Sequence, residues 1–243
     1  TVDAYDSPHA LQFDGTDDTL STPHKDDISL TRFTVEMWIK LLSDSGGYRI
    51  ILCKGRGSTD RNYAFFKNDG DTRMYFGYKS GASYISVLSA TALTLNKWYH
   101  VAGTYDGSTL SIYINGKLEN TLSTTATPST NGYPLYIGVA PEFSSANFVI
   151  DDVRIYGRAL SADEIANNMK GRITTSGLVL WWRFDEGSGN IVEDVTGNGH
   201  TGTLGSGAQA PTWTSGVTEA NVPPTIVFVI TGSALKAGEV RKP

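Results

Sequence analysis

Leu178-Val-Leu-Trp-Trp-Arg-Phe-Asp-Glu-Gly-Ser-Gly-Asn190 governs how the chain builds its sheets. Its opening reads as a strand. Successive side chains on a strand leave opposite faces, so Trp181 and Trp182 point to different sides of whatever sheet they join. Asp194-Val-Thr-Gly-Asn-Gly-His-Thr-Gly202 follows as a turn-rich tail. Far upstream, near the amino terminus, stands Ala10-Leu11-Gln12-Phe13-Asp14-Gly15. Either the late strand closes the sheet that the first strand began, or it starts a second copy of a domain.

The chain between these two segments alternates with period two. In Phe33-Thr-Val-Glu-Met-Trp-Ile-Lys40 one face takes Phe33, Val35, Met37 and Ile39, and the other takes Thr34, Glu36, Trp38 and Lys40. Leu110, Ile112 and Ile114 alternate with Ser111, Tyr113 and Asn115, and Asn115-Gly116 supplies the residues a type I′ hairpin turn needs. Further strand-like runs lie at 63–67, 73–78, 84–88, 98–105, 134–138 and 148–156. The spacing predicts a sandwich or jelly roll. One helix is expected near 162–169: Ser161-Ala-Asp-Glu164 is a capping box, and Ile165 and Met169 give it one apolar face.

Composition agrees and removes several function classes. Twenty-six glycines, 19 % charged residues and 11 % aromatics describe a turn-dense β protein. Net charge is −5 and no run of Lys or Arg is long enough to follow phosphates, which argues against nucleic acid. Cys53 is the only cysteine, so there is no disulfide framework, and its apolar strand makes it a core residue. No stretch reaches the roughly 18 apolar residues of a membrane span, so no membrane insertion is expected.

Four segments carry a family resemblance. Phe33-Thr-Val-Glu-Met-Trp-Ile-Lys, Lys97-Trp-Tyr-His-Val-Ala-Gly-Thr-Tyr-Asp-Gly, Leu110-Ser-Ile-Tyr-Ile-Asn-Gly-Lys and Ile150-Asp-Asp-Val-Arg-Ile-Tyr-Gly-Arg-Ala-Leu-Ser follow one another as in laminin-G-like, concanavalin A-like jelly rolls. With the Trp-rich segment they cover most of residues 10–215. The late run resembles the strand with which that family usually opens, so the chain reads as permuted. The chain before it lacks that strand, and the chain after it lacks every later motif of a second copy. The resemblance therefore implies an all-β, two-sheet antiparallel jelly roll over residues 1–216, with residues 178–184 pairing near the strand of Asp151. Residues 217–243 read as a linker, then either an edge strand at 225–230 or the start of an immunoglobulin- or cadherin-like neighbour.

Function is less constrained, because this fold carries lectins, adhesion domains and glycosidases. The expectation is a non-catalytic module binding a polysaccharide or cell-surface glycan, secreted or at the cell surface, within a longer chain with neighbouring domains. The rivals are a structural spacer and a glycosidase or lyase. Enzymes of the laminarinase type carry Glu-x-Asp-x-x-Glu on one strand face, flanking one bond with two carboxylates. That pattern is absent here.

Binding residues are expected where an aromatic platform meets polar donors at loops and strand ends. The candidates are Tyr48, Arg49, Tyr63, Arg73, Tyr78, Tyr84, Asn131 and Tyr133. For a metal, Asp151 alternates with Val149, Val153 and Ile155, so its carboxylate projects from an apolar face and must be paired, hydrogen-bonded or metal-bound. The resemblance implies a structural calcium there, with Asp14 as partner. Asp185 and Glu186 join the set if the late strand pairs beside Asp151.

Overall fold

The computed structural model of the chain describes residues 6–44, 46–56, 60–141 and 143–218. The strand expected at 225–230 lies outside them. In chain order the strands are β1 (His9–Phe13), β2 (Thr19–Thr22), β3 (Phe33–Leu41), β4 (Arg49–Arg56), β5 (Asp60–Lys67), β6 (Arg73–Ser80), β7 (Ser83–Ala92) and β8 (Tyr99–Tyr105). They continue as β9 (Thr109–Ile114), β10 (Lys117–Ser123), β11 (Leu135–Gly138), β12 (Phe148–Tyr156), β13 (Leu178–Trp182), β14 (Ile191–Val192), β15 (Gly202–Leu204) and β16 (Thr212–Ser215). The helix α1 (Ala162–Asn168) separates β12 from β13.

These strands make two antiparallel eight-stranded sheets, the expected jelly-roll sandwich. The first runs β10-β9-β8-β3-β12-β1-β16, with β13 also paired to β12; the second runs β14-β15-β2-β11-β4-β5-β6-β7. Alternate residues from both sheets meet between them. Phe33, Val35, Met37 and Ile39 point inward together, against Tyr63, Phe65, Phe76 and Tyr78 of the second sheet. Rings crowd there: Phe65 and Phe76 lie 4.5 Å apart, and a Cβ on Gly103 would sit 2.2 Å from the Phe76 ring, so only glycine fits under it. The Asn115-Gly116 turn takes φ 51° and 73°, the left-handed pair the hairpin requires.

The late strand answers the permutation question. β3 occupies one edge of β12 along nearly all its length. The other edge is shared end to end: β13 pairs with Val153–Tyr156 and β1 with Phe148–Ile150, both antiparallel to β12. In space β13 runs straight into the line that β1 continues. The rest of the late segment joins both sheets, β14 and β15 beside β2 and β16 beside β1.

Between the two contacts of β12 sits a bulge. The register with β3 slips between Asp151 and Arg154, and Asp152 takes φ 51°. The extra residue corrects the face expected for Asp151. Val153 and Ile155 point into the core, whereas Asp151 lies on the outer side of the sheet with Val149.

That outer side is sealed by α1, and a fully buried polar network lies beneath it. Arg154 Nη1 donates to Glu36 Oε1 at 2.6 Å, and its Nε and Nη2 grip the Asp152 carboxylate. Asn168 Nδ2 donates to Glu36 Oε1 at 2.8 Å, which ties the helix down, and Trp181 Nε1 donates to Asp152. Burial raises the Glu36 pKa while Arg154 opposes it; burial and the same arginine keep His100 well below its ordinary value. The capping box forms as expected, with Ser161 and Glu164 bonded reciprocally, and Arg158 holds Glu164 down to a pKa of about 2. No helix among the described residues is long and apolar enough to cross a membrane.

Candidate ligand-binding site

The outer face of the second sheet carries an aromatic pocket. It is built on β4–β7, whose inward residues fill the core and whose outward ones include Ala64, Phe66, Tyr75 and Tyr84. A second bulge delivers its charged residue. Lys54 pairs with Tyr63 and Gly55 with Arg61, so Asn62 is the extra residue on β5. Asn62 spends its side chain on the backbone of Leu30 and Ser129, while Arg61 is turned outward onto the rings.

The resulting cavity is about 300 Å³, lined by Tyr48, Arg61, Phe66, Tyr75, Tyr84, Ser86 and Phe143. Arg61 Cζ lies 4.2 Å from the Tyr84 ring centroid, 5.1 Å from Phe143 and 5.2 Å from Phe66. Tyr48 stands at the mouth, 59 % exposed, edge-on to Tyr75 at 5.9 Å. Phe143 is fixed because the loop after it is bonded to β4: Ile50 N–H donates to Ser144 O, and Ala146 N–H to Ile50 O. Burial pushes the Tyr84 hydroxyl well above its ordinary pKa, with the Arg61 charge opposing, so it stays a protonated donor. No acidic residue lines the cavity among the described residues.

Phe143 is also a wall of a second cleft of about 530 Å³, with Asp17, Thr19, Tyr136 and Gln209 on its other sides. Beside it lies an acidic turn. Carboxylate oxygens of Asp14, Asp17 and Asp18 come within 4.8 Å of one another. The turn is braced by Asp14 N–H on Asp18 Oδ2 and Thr16 N–H on Asp14 Oδ1, both at 2.7 Å. Burial raises the Asp18 pKa. This is the one group of three such ligands among the described residues, and it could hold a metal ion.

The expected binding residues fall in several places. Tyr48 and Tyr84 line the aromatic pocket, and Arg49 Nε donates to Gly46 O beneath the loop that carries Tyr48. Tyr63 and Tyr78 are fully buried between the sheets, their hydroxyls donating to Ile28 O and Ala126 O. Their strand alternation turns them inward, away from any surface ligand. Arg73 pairs with Asp71 at 2.8 Å at one end of β6. Asn131 and Tyr133 lie elsewhere, around the buried Lys54 ammonium, which donates to Asn131 Oδ1 and to both main-chain carbonyls; burial lowers the Lys54 pKa to about 8. Arg61, Phe66, Tyr75 and Phe143 were not foreseen. The run expected at 63–67 started after Arg61, and period two read across Asn62 assigns Arg61 the wrong face.

The expected metal ligands also separate. Asp14 follows β1 at the end paired with Phe148, while Asp151 lies past the other end of that pairing. Asp151 does meet Asp185: the Ser7 hydroxyl is 3.3 Å from Asp151 Oδ1 and 3.2 Å from Asp185 Oδ1. Val217 N–H donates to Asp151 Oδ2 at 2.9 Å. Burial, with the Asp185 charge adding to it, raises the Asp151 pKa well above the carboxylate range. Its demand is met by hydrogen bonds, and Glu186 accepts from Glu193 N–H instead of joining it. Val217 is buried here, so the packed fold reaches one residue past the expected boundary at 216.

Comparison with known sequences places this architecture. A model of the concanavalin A-like lectin/glucanases superfamily matches residues 14–166. The chain belongs to that superfamily. Among solved structures, this concanavalin A-like chain is similar to a candidate carbohydrate-binding protein from Bacteroides ovatus, with TM-score 0.67 and 18 % identity over 88 % of this chain. It spans 62 % of that protein's length. A heptameric SAP-like pentraxin from Limulus polyphemus gives TM-score 0.54 at 16 % identity, covering 84 % of this chain and 97 % of the pentraxin. Trypanosoma rangeli sialidase gives TM-score 0.54 at 19 % identity over 69 % of this chain and 28 % of the sialidase. At these identities the likeness is one of fold. No curated protein matches the sequence.

Proposed function

We propose that this concanavalin A-like chain is a non-catalytic carbohydrate-binding module that seats its glycan on the aromatic pocket of β4–β7. The observation that carries this reading is the cavity itself: five aromatic rings and two polar side chains around about 300 Å³. A sugar offers an apolar ring face bordered by hydroxyls, and such a lining suits both. The likeness to the candidate carbohydrate-binding protein from Bacteroides ovatus agrees with this reading. The second cleft, across Phe143, extends the surface for a longer polysaccharide. A polysaccharide or cell-surface glycan lies outside the cell, so the module acts there, within a longer secreted or surface protein. A non-catalytic role is supported by two carboxylates of the first sheet: Glu36 and Asp152 are sealed under α1 and held by Arg154.

Binding to a panel of plant, microbial and animal glycans tests the proposal. At least one should bind, and Tyr48→Ala should weaken that binding about tenfold, since truncating an exposed stacking ring removes on the order of 1–2 kcal/mol. A native chain that binds none, or hydrolyses one, overturns the reading.

We also infer that Asp14, Asp17 and Asp18 hold a calcium ion that fixes the β1–β2 turn at the rim of the second cleft. The donor set fits a hard cation, being all oxygen and close-set on a braced turn. Calcium at a hundredfold excess over its Kd should stabilise the fold by about 2.7 kcal/mol, visible as a rise in Tm that a chelator reverses. An unchanged Tm would rule the ion out, as would a rise that persists in Asp17→Asn and Asp18→Asn.

A further inference from the structure

Arg61 is 9 % exposed, and its Nε is buried with no hydrogen-bond partner. No carboxylate pairs with it among the described residues. Buried arginines are ordinarily paired, because a desolvated charge left alone is costly. Three aromatic faces offset part of that cost through the π clouds of Tyr84, Phe143 and Phe66. Ring faces, however, accept nothing from the N–H groups along the guanidinium edge. The Tyr84 hydroxyl beside it is buried and unpartnered too. The cavity thus presents a cation and a phenol whose hydrogen-bonding capacity the lining does not meet.

We propose that the pocket selects an anionic sugar, a pyranose bearing a carboxylate or a sulfate, with Arg61 as the residue that reads the anion. This rests on the carbohydrate reading above and names its ligand class. The anion supplies an acceptor of the kind that Arg61 Nε lacks among the described residues, and a planar guanidinium edge matches a carboxylate in bidentate fashion. The sugar ring meanwhile covers Tyr48 and Tyr75 at the mouth. A cavity of about 300 Å³ has room for one such residue of a chain. The chain as a whole carries a net charge of −5, so its overall charge does not draw anions in and the selectivity is local to this arginine.

The test is calorimetric titration with polygalacturonate, a sulfated galactan and a neutral galactan, at low and high salt. The native chain should prefer one of the anionic polymers to the neutral one by about tenfold, the scale of one charged hydrogen-bonded contact, and salt should erode the preference. Arg61→Gln should abolish that preference, and Arg61→Lys should keep part of it. The stronger of the two anionic polymers identifies the group that is read. If Arg61→Gln does not fold, competition on the native chain by free galacturonate against galactose gives the same answer, with galacturonate expected to be the better competitor. Equal affinity for charged and neutral glycans overturns the anionic reading and leaves the carbohydrate reading standing. Binding to no glycan of a broad panel overturns both.

Discussion

Arg154→Met should cost the fold about 3–5 kcal/mol, the usual result of removing one partner from a buried ion group. Glu36, Asp152 and Arg154 are all fully buried, and the arginine is the cation that both carboxylates share. Urea unfolding at pH 7 reads the loss directly. Its pH dependence distinguishes charge from packing. Without Arg154, burial is opposed only by the hydrogen bonds of Asn168 and Tyr156, and the Glu36 pKa in the folded state climbs further above its ordinary value of 4.5. A raised carboxyl keeps its full contribution below the unfolded pKa and loses it as pH rises through the folded one. The deficit of the variant should therefore be smallest near pH 4 and grow toward neutrality. Adding Glu36→Gln and Asp152→Asn to Arg154→Met should recover much of the loss at pH 7. A deficit that is flat with pH, or that these changes leave untouched, would assign the effect to the lost methylenes instead.

Trp182→Ala carries the other large effect, about 3–5 kcal/mol for a buried aromatic truncated to a methyl. Trp182 is fully buried between the sheets, pairs with Val153 and donates from Nε1 to His200 O at 2.8 Å. Its ring also covers Gly202, where a Cβ would lie 3.3 Å from it. One side chain thus joins β13 of the first sheet to β15 of the second. Calorimetry should show one transition in the native chain and one, at lower temperature, in the variant. A loss below about 1 kcal/mol, or a separate transition for the late segment, would mean that residues after 178 are an appendage and not part of the sandwich.

The same late segment shows how much of the fold was legible. Period two placed Phe33, Val35, Met37 and Ile39 inward together, Asn115-Gly116 made its turn, and Ser161 and Glu164 capped their helix. Each of these is local: residue spacing, a left-handed φ, a hydroxyl three residues from a carboxylate. The proposed binding site was only half legible. Tyr48 and Tyr84 could be chosen as aromatics beside turns, but Tyr63 and Tyr78 have the same chemistry and face the core.

Residue patterns alone were enough for most of the longer strands, for where the helix begins, and for the Trp-rich run having to find its sheet upstream; the short strands β2, β14, β15 and β16 carry no such pattern. Two single-residue bulges, seen only in the folded chain, then place charged residues of both sheets. Asn62 turns Arg61 onto the rings of the pocket, and Asp152 moves Asp151 out of the core face and puts Arg154 between two buried carboxylates. A strand's faces alternate with period two, so one extra residue reverses every assignment beyond it. Whether an extra residue is accommodated depends on what the neighbouring strands and loops supply: Leu30 and Ser129 for Asn62, Trp181 for Asp152. Those partners are far away in sequence, and the fold alone brings them near.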